Sequence, residues 1–518
     1  MLNILPAKST FIGNVNTGDI YPIYAEMPCI SPRLAYEAIG NSNSFLFESI
    51  KGPDKIARYS FIGADPFLVF KVKNGVVETE YIKQQGPSSL KKDNTKRIAP
   101  LKKLKALLTA YKVMSSVDLP PFTGGAAGII SYDFVHYFEK LPRTTIDDLD
   151  IPDAHFMFVD TVIAIDHELQ KTFLISCPGA EEIIAGSENS GNHWDRHYDN
   201  ACRKINKLFN KLKSISPSTD HSDSNHLIDT SVRPYSGMSS GKGEINIHHE
   251  MDKHQYIDIV RKTKKYIKAG DIFQANLSQR VSAKIGHTNP WQIYTILSRI
   301  NPSPFAAYLD MGDYHIASSS PERLVKISGN TVETRPIAGT RPRGSDAADD
   351  RLMRNELLLN EKERAEHLML IDLERNDLGK ISDYSSVEVD ELMITEDCSH
   401  VIHIVSNIRG TIAKGKDCFD AIRATFPGGT ITGVPKVRCM EIIDELEPVV
   451  RGPYTGSVGY ISFTGDMDLN IIIRTFVIKD KTAYVQAGAG IVADSEPEKE
   501  YYETLKKAEA LIKTLEVL

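Results

Sequence analysis

No stretch of this 518-residue chain approaches the roughly 20 consecutive apolar residues that a membrane-spanning helix needs. The start, MLNILPAKST, lacks the apolar core of a secretion signal, so a cytoplasmic location is the expectation. There are six cysteines, Cys29, Cys177, Cys202, Cys398, Cys418 and Cys439. None forms a CxxC pair or stands at zinc-finger spacing, which reads as reduced core thiols. Basic charge is also scarce: 61 Lys and Arg against 68 Asp and Glu leave −7. With no basic stripe, no nucleic-acid partner is expected, whereas a small anion needs only a local basic pocket. No tandem repeat of fixed period occurs. Nor is there a nucleotide P-loop. In FPGGTITGVPK, Val434 and Pro435 separate Gly433 from Lys436 and Val437 comes next, so the required Gly-Lys-Ser/Thr ending is missing. A glycine-rich turn of this kind still has amides and a lysine that can face a carboxylate. Gly124, Gly125 and Gly128 are not a dinucleotide loop, because no helix signal comes after them; they read as a turn into a strand.

The chain does have the composition of a soluble globular protein, 41% hydrophobic and 25% charged. The length suits two or three domains or one large composite one. Residues 1–180 carry short β-type runs (SFLFES, RYSFIG, FLVFKV), and 181–245 are a helical and polar connector. Residues 246–518 are dense in both helix and strand signals. The stretch from Ser214 to Ile245 is Ser-, Asp- and Gly-rich, as linkers and long loops are. Beyond it, Asp252 is placed to cap a helix with apolar positions Tyr256, Ile259, Val260, Thr263 and Ile267, ended by Gly270. A strand at FQANLSQRV comes next. GNTVETRPIAG and GSVGYISFTG read as strands, and RLMRNELLLNEKERAEHLMLIDLERNDLG reads as one long amphipathic helix. Strands and helices do not alternate regularly. The fold expected is therefore α+β, with large antiparallel sheets in a sandwich-like core surrounded by helices.

Two acidic pairs have helical spacing, Glu363 with Glu366 and Glu500 with Glu503. Residues three apart share a helix face, so each pair can aim two carboxylates at one point. Magnesium takes one or two such carboxylates and completes its shell with water and substrate oxygens; a solvated helix face is the plainer reading of either pair. Gly488 and Gly490, in QAGAGIV, would let backbone amides approach an anion. Arg474, in IIIRT, reads as a cation within an apolar strand, which demands a partner in the protein or a substrate carboxylate. His403, in VIHIVS, reads on its own as a core histidine.

Each signal is weak alone, but their order is not. The series RPIAGTRPRG, EHLMLIDLERNDLG, HIVS, FPGGTITGVPKVRCMEIIDELEP, GYISFTGDMD, IIIRT and AGAGIVADSEPEKEYYET resembles the chorismate-utilising enzymes. That family includes anthranilate, aminodeoxychorismate, isochorismate and salicylate synthases. The resemblance spans roughly Gly243 to Leu511, and RYSFIGADP and GGAAGIISYD extend it weakly toward the amino terminus. It implies that Glu366 and Glu503 bind Mg2+ directly and that Glu363 and Glu500 reach it through water. It implies that Arg474 and Tyr454 hold the enolpyruvyl carboxylate of chorismate. Gly339, Thr340, Thr432, Gly488 and Gly490 match pocket-lining positions, Glu322 matches the acid that protonates the departing C4 hydroxyl, and His403 matches a pocket histidine.

Gln274, in GDIFQANLSQR, stands where the water-using relatives carry a lysine base. Glutamine takes up no proton at neutral pH, and neutral ammonia needs no base, so the resemblance implies amination. The nitrogen would then come from a glutamine amidotransferase partner, since no cysteine here lies in a glutaminase-like context. FQANLSQR, NPSPFAAYL, SSSPERL and GDMDLNIIIRT resemble aminodeoxychorismate synthase, whose product retains the enolpyruvyl group. Ala338 cuts the other way: many such synthases carry a nucleophilic lysine there, and PIAGT is usual in anthranilate synthase. Glu48 and Ser49, in FLFESIKG, resemble the element lining a tryptophan pocket. Phe305 and Ala306, where anthranilate synthases often have Tyr-Met, weaken that expectation.

Overall fold

The computed structural model describes residues 2–52, 56–82, 89–93, 100–186, 193–215, 246–344, 346–397 and 401–518. The polar stretch from Ser214 to Ile245 falls almost wholly outside them, as does Cys398. Two antiparallel sheets of 12 strands each form the frame. In the first, strands from Ile23–Pro28 to Ser44–Glu48 continue through Phe305–Asp310, Tyr314–Ser320, Thr475–Lys479 and Thr482–Ile491 to Gln274–Lys284 and Ile247–His249. In the second, Ile337–Pro342, Val401–Thr411, Thr331–Arg335, Arg323–Ser328, Met467–Ile471 and Ser457–Ser462 continue into Gly125–Ile130 and the strands around Ala154–Val159. Both the early and the late part of the chain therefore contribute to both sheets. The seams are Phe47 opposite Ala307 and Ile461 opposite Ala126.

The strands read as apolar runs because both faces are covered. In Thr161–Asp166, Val162 and Ala164 point between the sheets, among Phe61, Met157, Val458 and Tyr460. Ile163 and Ile165 point outward onto the helical side, with Tyr36, Tyr198 and Ile205. In the second sheet Met157 and Val159 face inward, while Phe156 and Phe158 meet helices through Leu104, Ile371 and Phe419. Side-chain alternation thus feeds three layers of core at once. Burying a large apolar side chain is worth roughly 1.5–3 kcal/mol.

Several local expectations hold. Lys253–Ala269 is a helix with a capping box from Asp252 and a left-handed Gly270 at its end. Gly125–Ile130 is a strand, succeeded by a short 3-10 segment, Tyr132–Tyr137. Others need correction. The long acidic helix is two helices, Ala347–Leu359 and Glu361–Gly379. Asn360 breaks them, because its side chain accepts the Glu363 N–H and caps the second helix. Arg474 lies not within a strand but in the connection between two, with φ 53°. Among the described residues no helix is long and apolar enough to cross a membrane, and the described cysteines are all free.

Candidate active site

The first sheet supplies the floor. Gln274 and Gly490 lie on neighbouring strands, Gly490 opposite Asn276. Gly488 and Gly490 share a face, two residues apart. A Cβ at Gly490 would lie 2.5 Å from Gln274 Nε2, and one at Gly488 would lie 2.8 Å from the Tyr454 hydroxyl. Only glycine lets Gln274 and Tyr454 approach the strand this closely.

The second sheet supplies a wall. Thr340 and His403 are cross-strand partners, and Thr340 Oγ1 is 2.9 Å from His403 Nδ1. Burial, helped by the Arg474 charge, pushes His403 down to about 4, so it is a neutral polar group at pH 7. Gly339 is left-handed (φ 74°), and a Cβ there would collide with Glu363 Oε2. The two sheets join at Glu322, where the chain passes from Tyr314–Ser320 to Arg323–Ser328. Its carboxyl is buried and Oε1 has no hydrogen-bond partner. Burial raises it to about 7, against the opposing pull of the Thr430 hydroxyl, the Ile337 amide and the Lys507 charge. Such a carboxyl can donate a proton near neutrality.

The helices deliver the carboxylates. From Glu361–Gly379, Glu366 Oε1 accepts from Gln274 Nε2 at 2.8 Å. Glu363 Oε1 is held by Arg341 at 2.5 Å, while its buried Oε2 has no hydrogen-bond partner. From Pro497–Glu516, Glu503 pairs with Lys507 at 2.8 Å, and Lys507 donates to the Gly488 carbonyl at 3.0 Å. Glu500 is buried beside them on the same helix. Glu366 therefore reaches Gly490, and Glu503 reaches Gly488 through Lys507. Among the described residues no three Asp, Glu, His or Cys side chains gather into a cage. Glu366, Glu503 and the orphaned Glu363 oxygen are hard oxygen donors of the kind a magnesium ion takes, one or two at a time, together with water and substrate oxygens. Arg474 is half-buried, and desolvation lowers its pKa; Tyr454 and Glu503 counter that, and it donates to the Lys507 carbonyl.

Other expected residues are held as follows. Lys436, in the glycine-rich turn, pairs with buried Asp377 at 2.6 Å and donates to the Thr425 carbonyl at 3.1 Å. Thr432 is fully buried, its hydroxyl bonded to the Gly428 carbonyl at 2.8 Å, and its own carbonyl accepts from Asn276 N–H at 2.8 Å. It shapes the loop by its backbone. Glu48 accepts from Arg33 at 3.1 Å and from the Tyr294 hydroxyl at 2.6 Å. Ser49 donates to the Tyr59 carbonyl at 2.9 Å. Both lie on the far side of the first sheet's seam, remote from Gln274 in sequence and strand order.

Three contributors escape a reading of the sequence. Lys507 is four residues after Glu503, a spacing that could have exposed it. Glu374, buried and raised to about 8 chiefly by burial, accepts from Thr334 at 2.6 Å, and the charge of Glu322 adds to its rise. Arg451 is the third. It bonds Glu447 twice (2.7 and 2.9 Å), the Asn276 carbonyl at 2.7 Å and the Ile431 carbonyl at 2.9 Å, and lies over the Tyr454 ring. One guanidinium thus ties together the floor strand, the 426–432 loop and the Tyr454 loop. Arg451→Met is expected to cost about 3–5 kcal/mol, since Glu447 would be left buried and unpaired. Urea unfolding checks this, and a loss under about 1 kcal/mol would remove Arg451 from the role of a tie.

A glycine floor, a buried neutral acid and two cations facing paired carboxylates define an enzyme site for a small anionic substrate. The chain belongs to the chorismate binding enzymes, whose family model matches residues 78–513. It is 42% identical over 496 residues to anthranilate synthase component 1 of Acetivibrio thermocellus, covering 95% of this chain and 94% of that protein. To aminodeoxychorismate synthase component 1 of Bacillus subtilis it is 40% identical over 472 residues, 91% of each. The crystal structure of anthranilate synthase component I from Streptococcus pneumoniae superposes with a TM-score of 0.71 at 34% identity, covering 93% of this chain and 97% of that one. The menaquinone-specific isochorismate synthase of Escherichia coli shares the fold, with a TM-score of 0.64 at 16% identity.

Proposed function

We propose that this enzyme aminates chorismate with ammonia delivered by a separate glutamine amidotransferase subunit, in a magnesium-dependent reaction giving 4-amino-4-deoxychorismate. The observation that carries amination is Gln274: a neutral amide stands in the floor strand, where the water-using relatives carry a lysine, and is committed to holding Glu366 at 2.8 Å. It can orient a neutral nucleophile but cannot deprotonate water. Chorismate is a dianion, and Arg474 and Lys507 are the cations that face it. Arg474 and the Tyr454 hydroxyl take the enolpyruvyl carboxylate. The Gly488–Gly490 backbone and Thr340 with His403 hold the ring. Glu322 gives its proton to the departing C4 hydroxyl as the C4–O bond breaks, so water leaves instead of hydroxide. Ammonia forms the new C–N bond, and the ammonium so formed gives up a proton that restores the Glu322 carboxyl. Glu366 and Glu503 would hold Mg2+ directly, with Glu363 and Glu500 behind them; it supplies charge stabilisation and orientation at the ring carboxylate.

The wording of FQANLSQR, SSSPERL and FPGGTITG supports nitrogen at C4, and the Bacillus subtilis relative is named for that reaction. Ala338 leaves no side-chain nucleophile at its place on Ile337–Pro342, so amination runs directly or in two steps without a covalent enzyme intermediate. Ala338 also favours the second reading, anthranilate plus pyruvate, the reaction for which the Acetivibrio thermocellus relative is named. The purified chain is expected to turn over chorismate with magnesium and ammonium salts at elevated pH, and to ignore glutamine until an amidotransferase is added. Para-aminobenzoate should appear only after aminodeoxychorismate lyase is supplied, with no pyruvate beforehand. Pyruvate and anthranilate without the lyase would establish the second reading.

A further inference from the structure

A cavity of about 340 Å³ lies well away from the active site, between the outer face of the first sheet and the helix Trp194–Leu212. It shares no residue with the chorismate site or with the Glu48 and Ser49 contacts. Its volume is within the range of small-molecule pockets, roughly 300–1,000 Å³. Charge is sorted by wall. The helix presents Lys204, Lys207 and Lys211, while the strand ends present Asp65 and Asp160 and the short helix Ala180–Ile184 presents Glu182. Ile39, Ile62, Ile163 and Leu208 form an apolar floor.

The two walls are only partly paired with each other. Lys204 closes on Asp160 at 2.5 Å, which commits both groups. Lys207 is 3.9 Å from Asp65, the outer limit of an ion pair. His197 lines the cavity at 4% exposure, and neither ring nitrogen has a hydrogen-bond partner. Its Nδ1 is 3.6 Å from Glu182 Oε1, beyond hydrogen-bond reach. Leaving a buried polar group unpaired is costly, and here the cost falls at one spot in a cavity that can admit a ligand.

We propose that this cavity is a second small-molecule site, for a ligand with one cationic and one anionic group on a short apolar body, the chemistry of a free amino acid. Lys207 and Lys211 take the anionic end. Glu182 takes the cationic end beside His197. The body covers Ile62, Ile163 and Leu208. A ligand with a single charge would satisfy one wall and leave the other facing an apolar group.

Trp194 provides a reporter, since its ring lies 5.4 Å from that of His197 and the chain has only one other tryptophan, Trp291. In the full-length Trp291→Phe protein, L-phenylalanine is expected to change Trp194 emission saturably. 3-Phenylpropionate, which lacks the ammonium, and 2-phenylethylamine, which lacks the carboxylate, should each bind at least about tenfold more weakly. Glu182→Gln and Lys207→Met should each weaken L-phenylalanine by about tenfold or more while leaving the unfolding temperature near that of the parent. Absence of saturable binding by L-phenylalanine overturns the proposal. So does equal binding of the three probes, or binding indifferent to both substitutions.

Discussion

Glu322→Gln should lower kcat for chorismate amination by about 10²–10⁴-fold, the usual contribution of a positioned general acid, while KM changes little. The amide occupies the same space but has no proton to give. The pH dependence provides an independent check. Held at about 7, Glu322 is mostly protonated below neutrality. At a fixed concentration of unprotonated ammonia, kcat should therefore be level below pH 7 and fall as pH rises above it. Stability tracks the same proton. The folded carboxyl is raised above its ordinary value of 4.5, so the native state retains a proton that the unfolded chain gives up. This contribution is full below about 4.5 and is lost as pH rises through about 7. The Gln variant, which has no ionisation to suppress, should thus gain on the parent as pH rises from about 4.5 to about 7 in urea unfolding, and level off above that. A variant that retains kcat within about twofold would mean that Glu322 is not the acid.

The second large effect concerns the metal. Glu366→Gln and Glu503→Gln should each reduce turnover by about 10³-fold, because several kcal/mol of charge stabilisation at the substrate carboxylate would be withdrawn. Glu503 is half exposed and its pairing with Lys507 contributes little to folding, so unfolding should hardly change. Part of the lost activity should return at high magnesium if direct ligation has been weakened. Full turnover by the unaltered enzyme in excess chelator would falsify the assignment. Glu363→Gln should be milder, since one of its oxygens is already committed to Arg341.

Much of the fold is legible in the chain because burial on two faces writes apolar runs such as SFLFES and RYSFIG, and because caps such as Asp252 and Gly270 carry their own local chemistry. The break at Asn360 is hidden because the apolar spacing continues across it. A cap is decided by one side chain folding back on Glu363 N–H, and that leaves the periodicity untouched. Arg474 reads as a strand residue because IIIRT is apolar, yet its backbone turns left-handed there. EPVVRGPY does contain a signal for Arg451: a charge in an apolar run needs a partner. Nothing along the chain says that the partners would be Glu447 together with two carbonyls from separate segments.

Residue chemistry is settled along the chain: an acid in SSSPERL, a glutamine where a base could stand, acidic pairs at helical spacing, glycines without which no backbone could approach a substrate. These are local properties, set by covalent structure and by spacing along one element. Folding in three dimensions settles the rest. It makes Glu322 dry enough to stay protonated near neutrality, binds Gln274 to Glu366, and turns Lys436 away onto Asp377. Desolvation and pairing depend on which distant segments close over a group. In this chain the two sheets that do so are each assembled from both ends of the sequence.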